Sequence, residues 1–170
     1  YLVLGFEHIL SGADHLLFIF ALIILMTHFK TIFVTITFFT IGHSITLSLA
    51  VLDLIYLSPR LSEFGIAFTL LILAAEIDQN KKSIMTRYPW GMPLFFGLIH
   101  GLGFAGALKE VGLPQSEIPL TLFSFNLGIE IGQVFFIGAI CLILFCLKKV
   151  KVVFPFWIQK AQTYAIGSTA

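Results

Sequence analysis

The chain has 170 residues, of which 58% are hydrophobic and 11% are charged, with a formal net charge of +1 and a mean hydropathy of +1.01. A soluble domain carries about 25% charged residues, so the composition excludes a water-soluble globular fold. The small net charge and the lack of any nucleic-acid-binding motif exclude a nucleic-acid binder. The sequence therefore predicts an integral membrane protein whose main partner is the lipid bilayer.

Five apolar stretches are long enough to cross the hydrocarbon core, which takes about 20 residues each. The predicted spans are residues 1–26, 31–55, 61–77, 93–108 and 118–147. Ser11 and Gly12 predict a kink in the first span, and segment 152–170 predicts an interfacial helix or a truncated sixth span. The expected fold is an all-α membrane protein with one transmembrane domain, a bundle of five to six helices.

The basic residues predict the orientation of this bundle. With five spans, one side carries seven basic residues and the other carries two. The first set is Lys30, Lys81, Lys82, Arg87, Lys148, Lys149 and Lys151, and the second is Arg60 and Lys109. Because basic loops stay in the cytoplasm, the N-terminus is expected outside, and a bacterial inner membrane is the expected location.

Ionisable residues inside apolar spans are costly and mark functional sites by default. At a rise of about 1.5 Å per residue, four of them fall near the bilayer midplane, each on a different span: His15, His43, His100 and Glu130. The first span adds Asp14, next to His15, and His8, which is expected nearer the outer mouth. The predicted metal ligands are His8, Asp14, His15, His43, His100 and Glu130. Imidazole and carboxylate together suit Ni, Co or Zn.

Further polar residues are expected to support these ligands. Asn126, Glu130 and Gln133 are spaced i, i+4 and i+7, which places them on one face of the fifth helix. Glu76 near the end of the third span is a further candidate. Asn126, Gln133 and Glu76 are predicted to lie around the ligands rather than to bind the metal.

The geometry of the first span leaves two alternatives open. His8 and His15 are two helical turns apart and share a face if the helix is continuous. A break at Gly12 would instead free backbone carbonyls beside the site, as in transporters with interrupted helices.

Glycine pairs predict close helix packing near the site. Gly97 and Gly101 flank His100, and Gly128 and Gly132 flank Glu130. Small-x-x-x-small spacing lets two helices approach closely. We expect the two glycine-bearing faces to pack against each other, so that the fourth and fifth helices are in close contact.

Four segments of the chain resemble the motifs of one family, the second branch of the HupE/UreJ family. The segment from His8 to His15 is similar to the signature H-P-x-x-G-x-D-H, although Ile9 replaces the proline. The other matching segments are 39–47, 96–105 and 125–133, within a resemblance that covers about residues 5 to 135. After Gly101 the chain lacks the second histidine and the glutamate of the permease-type motif.

The resemblance implies a role in metal handling. The family is associated with hydrogenase and urease accessory operons, and some members are regarded as nickel or cobalt permeases. Carried over to this chain, His8, Asp14 and His15 would be the metal residues of the first motif, and His100 would be the histidine of the second.

Two functions from different classes remain open at this point. The first is a divalent transition-metal permease, in which His8 captures the ion at the outer mouth and the midplane ligands bind it. The second is an intramembrane zinc-dependent hydrolase that uses the same histidines, with Asp14, Glu130 or Ser44 activating water. A third alternative is an accessory or heme/proton-handling membrane protein whose histidines conduct protons. The chain is also expected to form a homo-oligomer.

Overall fold

The structure is a computed structural model that describes residues 1–26, 28–79, 84–112, 114 and 117–149. Within these residues the fold is all-helical and contains no strand. The helices are α1 (Leu2–Ser11), α2 (Ala13–Leu25), α3 (Phe29–Val51), α4 (Pro59–Gln79), α5 (Ile84–Arg87), α6 (Gly91–Val111) and α7 (Ile118–Lys149). The predicted helix or sixth span at 152–170 lies outside the described residues.

The first predicted span is broken into two helices, α1 and α2, which are bent by 74°. The break falls at Gly12, whose extended backbone (φ −78°, ψ 105°) interrupts the helix. The Gly12 N–H donates to the carbonyl of His8 at 3.0 Å, which ends α1. Of the two alternatives for this span, the structure has the broken helix.

Among the described residues, three helices are long and apolar enough to cross a membrane: α3, α6 and α7. The bent pair α1 and α2 counts as a fourth span if the two halves cross together. Helix α4 has 21 residues but carries four charged residues near its ends, Arg60, Glu63, Glu76 and Asp78. The protein is therefore an integral membrane protein with at least three apolar spans among the described residues.

The bent pair runs between the two ends of α6. At one end, the Tyr1 hydroxyl donates to the carbonyl of Gly112 at 2.6 Å. At the other end, the Thr35 hydroxyl donates to the carbonyl of Pro89 at 3.0 Å and lies 3.3 Å from the sulfur of Met26. The start of α1 and the end of α2 are thus at opposite ends of the 21-residue helix α6.

Glycines bring α6 against α3. A Cβ placed on Gly97 would overlap the carbonyl oxygen of Phe39 and lie 2.9 Å from the amide nitrogen of His43. A Cβ on Gly42 would overlap the carbonyl of Leu94 in the same way. The two backbones therefore touch at positions where no side chain fits.

A second glycine contact joins α1 to α7. A Cβ on Gly128 would overlap the carbonyl of Leu2, and a Cβ on Gly5 would overlap the carbonyl of Phe125. The prediction that the two glycine faces press the fourth and fifth helices (α6 and α7) together is therefore wrong. A small-residue face specifies a close approach, but it does not specify which helix approaches.

Candidate metal centre

The break at Gly12 folds two candidate metal-binding residues back over the end of α1. Asp14 and His15 lie in the first turn of α2, directly after the break. A Cβ on Gly12 would lie 2.5 Å from Nδ1 of His15 and 3.0 Å from Oδ1 of Asp14. Glycine is required here because any side chain would occupy the space that these two side chains use.

The first ligand group joins α1, α2 and α3. It consists of His8, His15 and His43, each of which offers one ring nitrogen within 4.8 Å of the others. The ring centroids of His8 and His15 are 4.8 Å apart, and those of His8 and His43 are 5.9 Å apart. His8 and His15 thus meet across the bend rather than along one continuous helix face.

The second ligand group joins α2 to α6. It consists of Asp14, His15 and His100, also with ligand atoms within 4.8 Å of one another. Oδ1 of Asp14 lies 3.2 Å from Nδ1 of His15, and Oδ2 lies 3.9 Å from Nδ1 of His100. His15 belongs to both groups and is therefore the centre of the site.

Most of the histidine nitrogens are buried without a hydrogen-bond partner. Five of them have this property among the described residues: Nε2 of His8, Nε2 of His15, both nitrogens of His43 and Nδ1 of His100. Nδ1 of His15 is also buried and faces Oδ1 of Asp14. Buried polar atoms are normally hydrogen-bonded, since an orphaned one costs free energy. Imidazole nitrogens and one carboxylate fit a transition-metal ion, which would supply the missing partner for several of these atoms.

His8 lies inside this cluster rather than at the outer mouth of the bundle. Its Nε2 is buried, and its ring centroid is 3.9 Å from that of Phe104. The expectation that His8 captures ions at the outer surface therefore does not fit its position. The bend at Gly12 brings His15 of α2 back beside His8, which makes His8 part of the cluster.

Two amides predicted to support the ligands lie on α7, where Asn126 is beside one of them. The Asn126 side chain is a neighbour of His43, and its Nδ2 donates to the carbonyl of Leu122 at 2.7 Å. Gln133 is fully buried and accepts a hydrogen bond from the Thr40 hydroxyl at 3.1 Å. Oδ1 of Asn126 and Nε2 of Gln133 are buried without a partner.

Three other predicted residues lie away from both ligand groups. Glu130 and Ser44 line a cavity of about 270 Å³ between α3 and α7, and the Ser44 hydroxyl donates to the carbonyl of Thr40 at 2.7 Å. Glu76 is buried near the end of α4, where its carboxylate accepts from the Met85 N–H at 3.1 Å. The structure therefore does not bring Glu130, Ser44 or Glu76 to the histidines.

Thr69 of α4 is a site residue that sequence reasoning missed. Its hydroxyl donates to the carbonyl of Ile66 at 2.7 Å and lies 3.1 Å from Nε2 of His100. With its proton directed at that carbonyl, the hydroxyl oxygen accepts from Nε2–H of His100. This tautomer leaves Nδ1 of His100 free as a ligand. Threonine is common in transmembrane helices, so the sequence contained no signal for this contact.

We expect Thr69→Val to weaken metal binding about 10- to 100-fold, which is the usual cost of losing a partner that orients a ligating histidine. The substitution keeps the volume of the side chain but removes the acceptor of Nε2–H. Isothermal titration calorimetry of the purified protein with Ni²⁺, Co²⁺ and Zn²⁺ measures the effect. Thr121→Val, at a buried threonine outside both ligand groups, is the control. Equal affinities in the two variants would contradict the role of Thr69.

The sequence model of the HupE / UreJ protein family matches the chain over residues 1–170. No curated protein and no solved structure is significantly similar to the chain.

Proposed function

The chain belongs to the HupE/UreJ family, and we propose that it is a permease for a divalent transition-metal ion of the nickel or cobalt type. The family supports a metal-related membrane role of the accessory or permease kind. The transported metal is substrate in this proposal, so the site binds it transiently. Zinc is a further substrate that the same ligands suit.

One observation carries the proposal: the buried imidazole nitrogens, five of them unpartnered among the described residues, that converge at the break in the first span. Helix breaks beside ion sites are typical of transporters, because the interrupted helix can rearrange around the ion. The two ligand groups share His15. An ion can therefore pass from one group to the other while it stays bound to this histidine.

The proposed topology has five spans with the N-terminus outside. The bent pair is one span, since Tyr1 contacts one end of α6 and Met26 reaches the other end through Thr35. Helix α4 is another span in this proposal, since it runs antiparallel to α6. Ser62 near the start of α4 faces Gly103, and Thr69 further along contacts His100. The chain after α4 then leads to the start of α6. Charge asymmetry supports a cytoplasmic location for the start of α6. A bacterial inner membrane and a homo-oligomer complete the proposal.

Uptake into liposomes tests the permease. Purified protein in vesicles loaded with a metal-sensitive dye is expected to admit Ni²⁺ or Co²⁺. His100→Ala is expected to slow uptake by at least about tenfold, because it removes one ligand worth roughly 3 kcal/mol. The matched control is His28→Ala, since His28 is exposed and belongs to neither ligand group. Unchanged uptake in His100→Ala, or no uptake by the unmodified protein, would refute the proposal.

A second candidate function, an intramembrane zinc-dependent hydrolase, is favoured by a different observation. A cavity of about 460 Å³ lies between α2, α4 and α7, lined by apolar side chains and by Asp14. Such a cavity suits a lipophilic substrate that approaches from the bilayer. In this function the histidines would hold the zinc and Asp14 would act as the base that takes a proton from water, whereas Glu130 and Ser44 line a different cavity. Tightly held zinc that never crosses the vesicle membrane would favour this function.

A further inference from the structure

Phenylalanine rings cover the histidine cluster on the side of the Tyr1–Gly112 end. Phe104 lies four residues after His100 on α6, and its ring stacks on Phe125 of α7 with centroids 5.2 Å apart and planes 9° apart. The centroids of Phe104 and Phe125 are 3.9 Å and 5.6 Å from that of His8. Phe125 is fully buried. These two rings form the outer aromatic pair.

A second pair covers the opposite side of the cluster. Phe39 lies four residues before His43 on α3, and Phe18 lies three residues after His15 on α2. Their rings stack with centroids 4.6 Å apart, and both side chains are fully buried. The Phe39 centroid is 5.1 Å from that of His100. Phe18 and Phe39 form the inner aromatic pair.

Each pair is built from two different helices. The outer pair joins α6 to α7, and the inner pair joins α2 to α3. Because α3 and α6 are in close backbone contact, a shift of α7 against α6 would separate the outer pair, and a shift of α2 against α3 would separate the inner pair. This is the arrangement that an occluded site between two independent barriers requires.

We propose that these two aromatic pairs are the outer and inner barriers of the ion pathway and that they determine its selectivity; this inference rests on the proposed permease function. Phenylalanine rings offer no hydrogen bonds to the water shell of an ion, so an ion that passes them must shed water. The histidines and Asp14 replace that water for transition metals. Mg²⁺ dehydrates reluctantly and prefers oxygen ligands, so the barriers exclude it.

Flux selectivity in liposomes tests the barriers. Phe104→Ala and Phe39→Ala are each expected to lower the ratio of Ni²⁺ flux to Mg²⁺ flux by about tenfold, because Mg²⁺ would keep more of its water shell. The double variant is expected to leak ions in both directions, as measured by collapse of an imposed membrane potential. Phe135→Ala, which removes a ring that is 60% exposed, is the control and should retain the selectivity of the unmodified protein.

The outcomes separate this inference from the function on which it rests. Ni²⁺ flux through the unmodified protein with the same selectivity in all variants would overturn the barriers but retain the permease. No flux through the unmodified protein would overturn both. Ni²⁺ binding in detergent verifies that each variant folds. If Phe39→Ala does not fold, Phe39→Val, a smaller truncation, replaces it.

Discussion

Replacing His15 by alanine is expected to reduce metal affinity more than any other single histidine substitution. His15 contributes to both ligand groups, whereas His8, His43 and His100 each contribute to one. Structural four-ligand zinc sites contribute roughly 10 to 16 kcal/mol, so one ligand is worth about 3 kcal/mol. A loss of this size lowers affinity by more than about 100-fold.

The ranking of the variants by metal affinity is as informative as the size of the affinity loss. His8→Ala leaves the group of Asp14, His15 and His100 intact, and we expect it to bind more tightly than His15→Ala. Equilibrium dialysis with Ni²⁺, Co²⁺ and Zn²⁺, read out by elemental analysis, measures all variants in one experiment. His28→Ala is the control because it removes an exposed histidine from outside the site. Equal losses in His8→Ala and His15→Ala would show that the two groups do not share a centre.

Replacing Gly97 by alanine is expected to destabilise the fold by more than about 3 kcal/mol, above the usual range for an overpacked core. The added Cβ would overlap the carbonyl oxygen of Phe39 and lie 2.9 Å from the amide nitrogen of His43. Both contacts are to backbone, so no side chain can rotate away. Helices α3 and α6 would have to separate, which would also move His43 away from the other ligands.

The matched control for this substitution lies on the same helix. Gly106 has no atom within 4 Å of an added Cβ. Gly106→Ala is therefore expected to be neutral or to stabilise α6 by up to about 1 kcal/mol through helix propensity. Thermal unfolding in detergent, followed by circular dichroism, compares the two variants. A melting temperature for Gly97→Ala equal to that of Gly106→Ala would contradict the close approach of α3 and α6.

Much of the site chemistry was predictable because it depends on residue type. Histidines and an aspartate in apolar spans indicate a site regardless of how the helices pack, since each is too costly in hydrocarbon without a role. The kink predicted at Ser11 and Gly12 is present as a 74° bend. Length and hydropathy likewise predicted an all-helical membrane protein.

Partner choice between helices was not predictable from the glycine spacing. Gly97 and Gly101 contact α3, and Gly128 and Gly132 contact α1, although the expected contact was between α6 and α7. The spacing shows that one face of each helix carries small residues and is therefore flat. Any helix with a matching surface can occupy it, so the partner depends on how the whole bundle assembles.

By itself, the sequence determined the membrane environment, the types of candidate ligand and the position of the helix break, because these follow from composition and local backbone preference. Only the tertiary structure decided which ligands meet. It joined His8 to His15 across the bend, placed Thr69 on His100, and left Glu130 in a separate cavity between α3 and α7. The physical reason is that helical periodicity fixes which side chains share a face. The bend at Gly12 and the glycine contacts between backbones fix which faces come together.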